Sequence, residues 1–182
     1  STGGVITGGE LAAAGGTVAD VEDPLDYSTY IGEGVLPHSY LKAPYFKPRG
    51  FPEGNYRVGP LARLNVAERC GTPEADEELA EYRQRLGRDV QSSFFYHYAR
   101  LIEAMYGVER MEQLLNHPRI LDTHVRARAD VNALEGAGIA EAPRGVLIHH
   151  YKVDESGAMK WANLIIATGH NNLAMNRAVD QV

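Results

Sequence analysis

The chain has 182 residues, 44% of them hydrophobic and 23% charged, with a net charge of −6, which is about one domain of ordinary globular composition. That acidity argues against a non-specific nucleic-acid binder or a protein of anionic membranes, both of which need clustered Lys and Arg. No apolar run approaches the roughly 20 residues that cross a bilayer, and a single cysteine, Cys70, excludes an internal disulfide framework and suits a reducing compartment.

The start, "STGGVITGGELAAAGG", lacks the charged and continuous apolar stretches of a signal peptide, so a cytoplasmic location is expected. Residues 1–24 read as a Gly/Ala-rich arm or short strand, set apart from a single unit over 25–182. From Asp26 to about Tyr56, Pro, Gly and Tyr crowd together, which predicts a long irregular segment. Its tyrosines (Tyr27, Tyr30, Tyr40, Tyr45, Tyr56) read as filler against another domain or subunit. "RVGPLARLNVAERCG" is a short ordered stretch ending in a helical turn. Thr72 as a cap, Pro73 in the first turn and the acids Glu74, Asp76, Glu77 and Glu78 at the positive end predict a helix over 73–86. A longer helix starts at Ser92 or Ser93, where Phe94, Tyr98, Leu101, Met105, Val108, Met111 and Leu115 recur on one apolar face until "NHP" stops it. Another is predicted from about Leu121 to Glu135, with Gly136 at its end. Gly145–Val153 and Ala158–Ala167 read as strands around "DESG". A last helix from Thr168 or Gly169 passes Leu173, Met175 and Val179 with no stop signal, as though the chain continued. The fold class is α+β: a mainly helical core, a β-hairpin at about 145–167 and the irregular segment.

A turn centred on Glu155–Ser156 sets Arg144 opposite Ala167, with Thr168 beside it. One guanidinium and one hydroxyl then share an edge with a helix N-terminus, a corner suited to an anion or an acceptor-rich ligand. The alternative is structural: Arg144 caps carbonyls or pairs with a carboxylate such as Glu141.

"EAPRGVLIHHYKVDESGAMKWANLIIATGHNNLAMN" resembles the C-terminal half of the large subunit of nickel–iron hydrogenases. "YIGEGVLPHSYLKAPYFKPRG", "GNYRVGPLARLN" and "SFFYHYARLIEAMYGVER" are similar to its cytoplasmic, bidirectional NAD-linked branch. The likeness covers about 22–182, in several blocks in the right order. It implies a nickel–iron centre with cyanide and carbon monoxide on the iron. Ala142, Pro143 and Arg144 would line the iron-side pocket, Leu147 would form an apolar wall, and Ala167 and Thr168 would return on the second strand, the hydroxyl bonding one cyanide. A backbone carbonyl at Leu164 would serve a nearby structural divalent ion. Charge-assisted hydrogen bonds from a permanent cation are strong in a dry site, and Arg144 would help polarise the bond being split. The implied partners are a small subunit with iron–sulfur clusters and flavin- and NAD-binding diaphorase subunits, with neither nucleic acid nor membrane insertion.

The family's four cysteine ligands, in two pairs, have no counterpart in this sequence. Cys70 in "ERCGTP" lacks a second thiolate and reads as an ordinary partly buried thiol, and one sulfur cannot hold nickel in a thiolate-bridged site. The chain is therefore expected to be an internal fragment, inactive alone, binding no such centre, supplying outer contacts only, and prone to self-association through the uncovered side of helix 92–115. His149 and His150 alternate on a strand and cannot share a metal, with His149 on Leu147's face. His97 and His170 have no ligand partners at spacing. Two other readings stand beside this one: a metal-free quinone-pocket subunit related to respiratory complex I, and a stand-alone binding module with an anion site at Arg144.

Overall fold

The computed structural model describes residues 4–7, 10–13, 16–20, 23–126 and 131–180. Strands β1 (Gly4–Thr7), β2 (Glu10–Ala13) and β3 (Gly16–Asp20) form an antiparallel meander where an arm or short strand was expected; residues 1–3, 8–9, 14–15 and 21–22 lie outside the described residues. A single turn of helix, α1 (Tyr27–Tyr30), leads into β4 (Ile31–Leu36) and β5 (Ser39–Phe46), paired from Ile31 with Phe46 to Leu36 with Ser39. This hairpin occupies much of the segment expected to be irregular. Pro44 is tolerated because each strand of a two-stranded ribbon keeps one unpaired edge. Two of the early tyrosines are core residues rather than filler: Tyr27 and Tyr56 are buried, while Tyr40 is fully exposed.

Helices α2 (Pro60–Val66), α3 (Pro73–Leu86) and α4 (Tyr96–Leu115) follow. Thr72 stands at the N-cap of α3 as expected, but its side chain does not cap the helix. The cap comes from α4: Glu109 accepts from Thr72 Oγ1 at 2.6 Å and from the backbone N–H groups of Glu74 and Ala75 at 3.0 Å each. A carboxylate at the positive end of a helix does what a local cap would do. The predicted helix at 92–115 forms, yet its buried line is Ala99 and Ile102, flanked by Phe95, Tyr98 and Met105. Small Ala99 lets the helices approach. The residues expected to face inward, Phe94, Leu101, Val108, Met111 and Leu115, are 57 to 78% exposed.

No helix forms in the described part of 121–135; residues 127–130 lie outside the described residues. A short helix draws most of its stability from an apolar face packed on a neighbour, and Leu121, Val125, Val131 and Leu134 are all exposed. Glu135 instead opens β6 (Glu135–Ala142), so Gly136 is a strand residue rather than a cap. Alternate Ala137 and Ile139 of β6 pack inward. With β7 (Gly145–Val153) and β8 (Met159–Ile165) it completes a three-stranded antiparallel sheet ordered β6-β7-β8, wider than the expected hairpin. Helices α5 (Ala167–His170) and α6 (Asn172–Val179) end the described chain.

The α+β class holds. One core cluster is sheet-based (Tyr27, Ile31, Tyr56, Val58, Val146, Ile148, Ile165) and the other helical, centred on Leu61, Leu79, Tyr82 and Ile102. They meet at Val58-Gly59-Pro60-Leu61, where an extended segment turns into α2.

Candidate functional site

Arg144 is not opposite Ala167. The observed pairing of Ile148 with Ile165 extends to Arg144 opposite Gly169, two residues away. Two local causes add up. The loop centres on Ser156, because Asp154 accepts from the Ser156 and Ala158 N–H groups, and a bulge interrupts the pairing between Lys152 and Val153. β8 also stops at Ile165, so Arg144 instead sits in the tight turn between β6 and β7, whose ends pair Ala142 with Gly145.

That turn is seated on the seam between the cores. Gly145 has φ +139° and lies against Val58; a Cβ there would fall 2.2 Å from Val58 Cγ2. Gly59 has φ +103°, and its Cβ would fall 2.9 Å from the Arg144 carbonyl oxygen. Both positions need glycine for the backbone angle and for the close approach. Asn171 fixes the seam from the other side, accepting from Val58 N–H at 2.8 Å through Oδ1 and donating to the Val58 carbonyl at 3.3 Å through Nδ2.

Beside the turn lies an open cleft of about 890 Å³, lined by α2, α4 and the Glu141–Arg144 segment, a size that holds a substantial ligand. Arg63, Arg69, Arg100 and Arg144 line it with Glu103 and Glu141, giving a positive excess. Arg144 is exposed, and neither it, Arg69 nor Arg100 makes a hydrogen bond or ion pair with another described residue. Ala142 and Pro143 line the same cleft. Leu147 (half-buried on β7), Ala167 (buried) and Thr168 (exposed) do not, and Leu164 is exposed on β8.

Glu141 does have an arginine partner, but it is Arg63. Arg63 Nε and Nη2 donate to the two carboxylate oxygens of Glu103 at 2.6 Å each. Its Nη1 donates to Glu141 Oε2 at 2.7 Å and to the Ala142 carbonyl at 2.9 Å, and Nη2 reaches the Pro143 carbonyl at 3.0 Å. Burial opposes the Arg63 charge, but its bonds to Glu103 and Glu141 outweigh that and push its pKa up. Burial raises the Glu141 pKa even against the nearby guanidinium. The roles of carbonyl cap and carboxylate partner considered for Arg144 thus belong to Arg63, and Arg144 has no partner among the described residues. Nothing local in "GPLARLN" marks Arg63, whose partners lie 40 and 78 residues away in sequence.

Cys70 also lines the cleft; burial pushes its thiol up to about 11, which keeps it protonated and inert. Among the described residues, no group of three or more His, Cys, Asp or Glu side chains is arranged to hold a metal ion. Three histidines bond to tyrosines instead. His149 Nδ1 lies 2.7 Å from Tyr151 Oη, and His150 bridges Tyr27 at 3.2 Å and Glu135 at 2.8 Å. His170 Nδ1 lies 2.5 Å from the buried Tyr56 hydroxyl. His97 is exposed.

Burial lowers the His170 pKa from 6.5 to about 4, partly opposed by the Ile165 backbone. Between those values the unfolded chain binds the proton and the folded chain does not, so stability is full above 6.5 and is lost as pH falls towards 4. The loss attributable to this fully buried group is about 3 kcal/mol. Urea unfolding at pH 7 and pH 4.5 should show a steeper decline for the native chain than for His170→Gln; parallel declines would remove His170 from the acid response.

The chain matches the nickel-dependent hydrogenase family over residues 16–176 and belongs to that family. It is 45% identical over 158 residues to the vhu F420-non-reducing hydrogenase polypeptide of Methanococcus voltae, covering 87% of this chain and 38% of that protein. It is 40% identical over 160 residues to NAD-reducing hydrogenase HoxS subunit beta of Cupriavidus necator, covering 86% of this chain and 33% of that protein. The crystal structure of an NAD+-reducing [NiFe]-hydrogenase in the H2-reduced state superimposes with a TM-score of 0.84 at 41% identity, over 93% of this chain and 38% of that one. The chain therefore spans under two-fifths of the length of these relatives. All of these similarities are to hydrogenases, and the quinone-pocket reading gives way to them.

Proposed function

We propose that the chain is an inner portion of the large subunit of a nickel–iron hydrogenase, and that its cleft forms the outer wall of the metal pocket. The observation that carries this is Arg144: a guanidinium with no partner among the described residues, presented by a turn that two glycines and Arg63 hold in place. Such a group fits an acceptor-rich centre as an outer contact. The sequence's one cysteine cannot provide the thiolates, so the ligands would come from other parts of the subunit. A nickel–iron centre bound there would supply the splitting of hydrogen into protons and electrons. Arg144 would donate hydrogen bonds to the iron's diatomic ligands and hold positive charge beside the reacting position. Pro143, which has no N–H, and the small Ala142 would leave that side of the pocket to the guanidinium. Leu147, Ala167, Thr168 and the Leu164 carbonyl join this site through the family resemblance alone.

The exposed apolar residues on α4 and along 120–134 support a chain whose neighbours come from the rest of a larger subunit, against the stand-alone binding module. An NAD-linked, multi-subunit complex is supported by the C. necator likeness, while a cytoplasmic location, an iron–sulfur small subunit and diaphorase subunits join the proposal through the family resemblance alone. The M. voltae relative is named only for not reducing F420, and an acceptor other than NAD is the second reading. Among the described residues no helix is long and apolar enough to cross a membrane. The test is the full-length subunit, produced with its partners. One nickel per subunit and hydrogen-dependent NAD reduction are expected. Absence of nickel would refute the proposal, and turnover with an artificial dye but not NAD would favour the second reading.

A further inference from the structure

We propose that Arg63 is the positioning residue for Arg144, an inference that rests on the reading of Arg144 given above. A guanidinium has five N–H donors in a rigid plane, and every one on Arg63 has an acceptor. Two hold Glu103 on α4, which fixes the fork relative to the helical core. The other three meet the Glu141 carboxylate, the Ala142 carbonyl and the Pro143 carbonyl. These are the three residues directly before Arg144. The turn at Pro143 and Arg144 is exposed and lies beyond the last strand pair, Ala142 with Gly145, so on the cleft side Arg63 is what ties it to the helices.

A second consequence is electrostatic. Glu141 lies three residues from Arg144 on the same cleft wall and would be a ready partner for it. Arg63 occupies that carboxylate, and Glu103 with it, so Arg144 keeps its donors for whatever enters the cleft. Lysine at position 63 would keep the charge. It has no planar fork, so it cannot serve two carboxylates and two carbonyls together.

The experiment uses the full-length enzyme in complex with its partner subunits and compares Arg63→Lys, Arg144→Lys and the double variant. Turnover is measured together with the infrared stretching bands of the iron-bound carbon monoxide and cyanide. Arg63→Lys is expected to lower hydrogen turnover about tenfold and to shift the infrared bands in the direction that Arg144→Lys shifts them. Added to Arg144→Lys, it should cost less than about twofold more, because a residue acting through another is not additive with it. Independent, multiplying losses, or bands unmoved by Arg63→Lys beside a disabled Arg144→Lys, overturn the positioning role alone. An Arg144→Lys enzyme with native turnover and native bands overturns the reading of Arg144 and this inference with it. If Arg63→Lys fails to assemble, Glu141→Gln must show a smaller shift of the same sign, and unchanged bands there also overturn the inference.

Discussion

Arg144→Lys in the assembled full-length enzyme is expected to lower hydrogen turnover by about 10²- to 10³-fold, the usual cost of losing one preorganised donor to developing charge. Docking with the partner subunits should be preserved. The reasoning starts from what Arg144 does not do. It lines the cleft, is exposed, and makes no hydrogen bond or ion pair with another described residue, so its removal breaks no contact that holds the fold. The neighbouring structure is spent on the backbone around it. Gly59 and Gly145 bring the turn against the seam between the two cores, and Arg63 ties the preceding carbonyls. A lysine would retain the charge but lose the planar pair of donors, which separates electrostatic from geometric need. Native turnover in Arg144→Lys, with nickel content unchanged, would dismiss this side chain from the chemistry.

Gly145→Ala should cost the fold about 4 kcal/mol. A backbone at φ +139° is hard for any residue with a side chain, worth about 1–3 kcal/mol, and the new methyl would overlap Val58 Cγ2 at 2.2 Å, adding overpacking of similar size. Val58 is fully buried between Tyr56 and the seam and cannot swing away. Val58→Ala removes the overlapping methyl but leaves the backbone strain. The double variant should therefore be more stable than the sum of the single losses by about 1 kcal/mol or more. Urea midpoints measure both. A Gly145→Ala chain within about 0.5 kcal/mol of the native one would show that the turn does not press on Val58.

Arg144 stood out in the sequence as an arginine between proline and glycine, but the sequence set it at a hairpin edge opposite Ala167 and not in the turn between β6 and β7 where it lies. Its surroundings were not legible. The strand register depends on Asp154 folding its own loop and on one bulge, details that hydrophobic alternation does not carry. Glycines and alanines at 136–142 resemble a helix end as readily as a strand, and only Ala137 and Ile139 facing the sheet core decide it. In α4 both sides of the helix are apolar, so period alone could not choose between the Ala99–Ile102 line and the Leu101–Val108 line. Arg63 was hidden for the plainest reason. Its meaning lies in Glu103, Glu141 and two carbonyls, which only the fold brings together.

The proposed chemistry depends on one side chain reaching a buried metal pair across a cleft that other parts of a larger polypeptide must roof. A crystal structure of the metal-loaded, full-length enzyme tests this directly. The guanidinium of residue 144 should lie within about 3–4 Å of an iron-bound diatomic nitrogen or oxygen, close enough for a hydrogen bond or direct contact. Finding that cation turned to solvent, or paired with a carboxylate far from the metals, would contradict it.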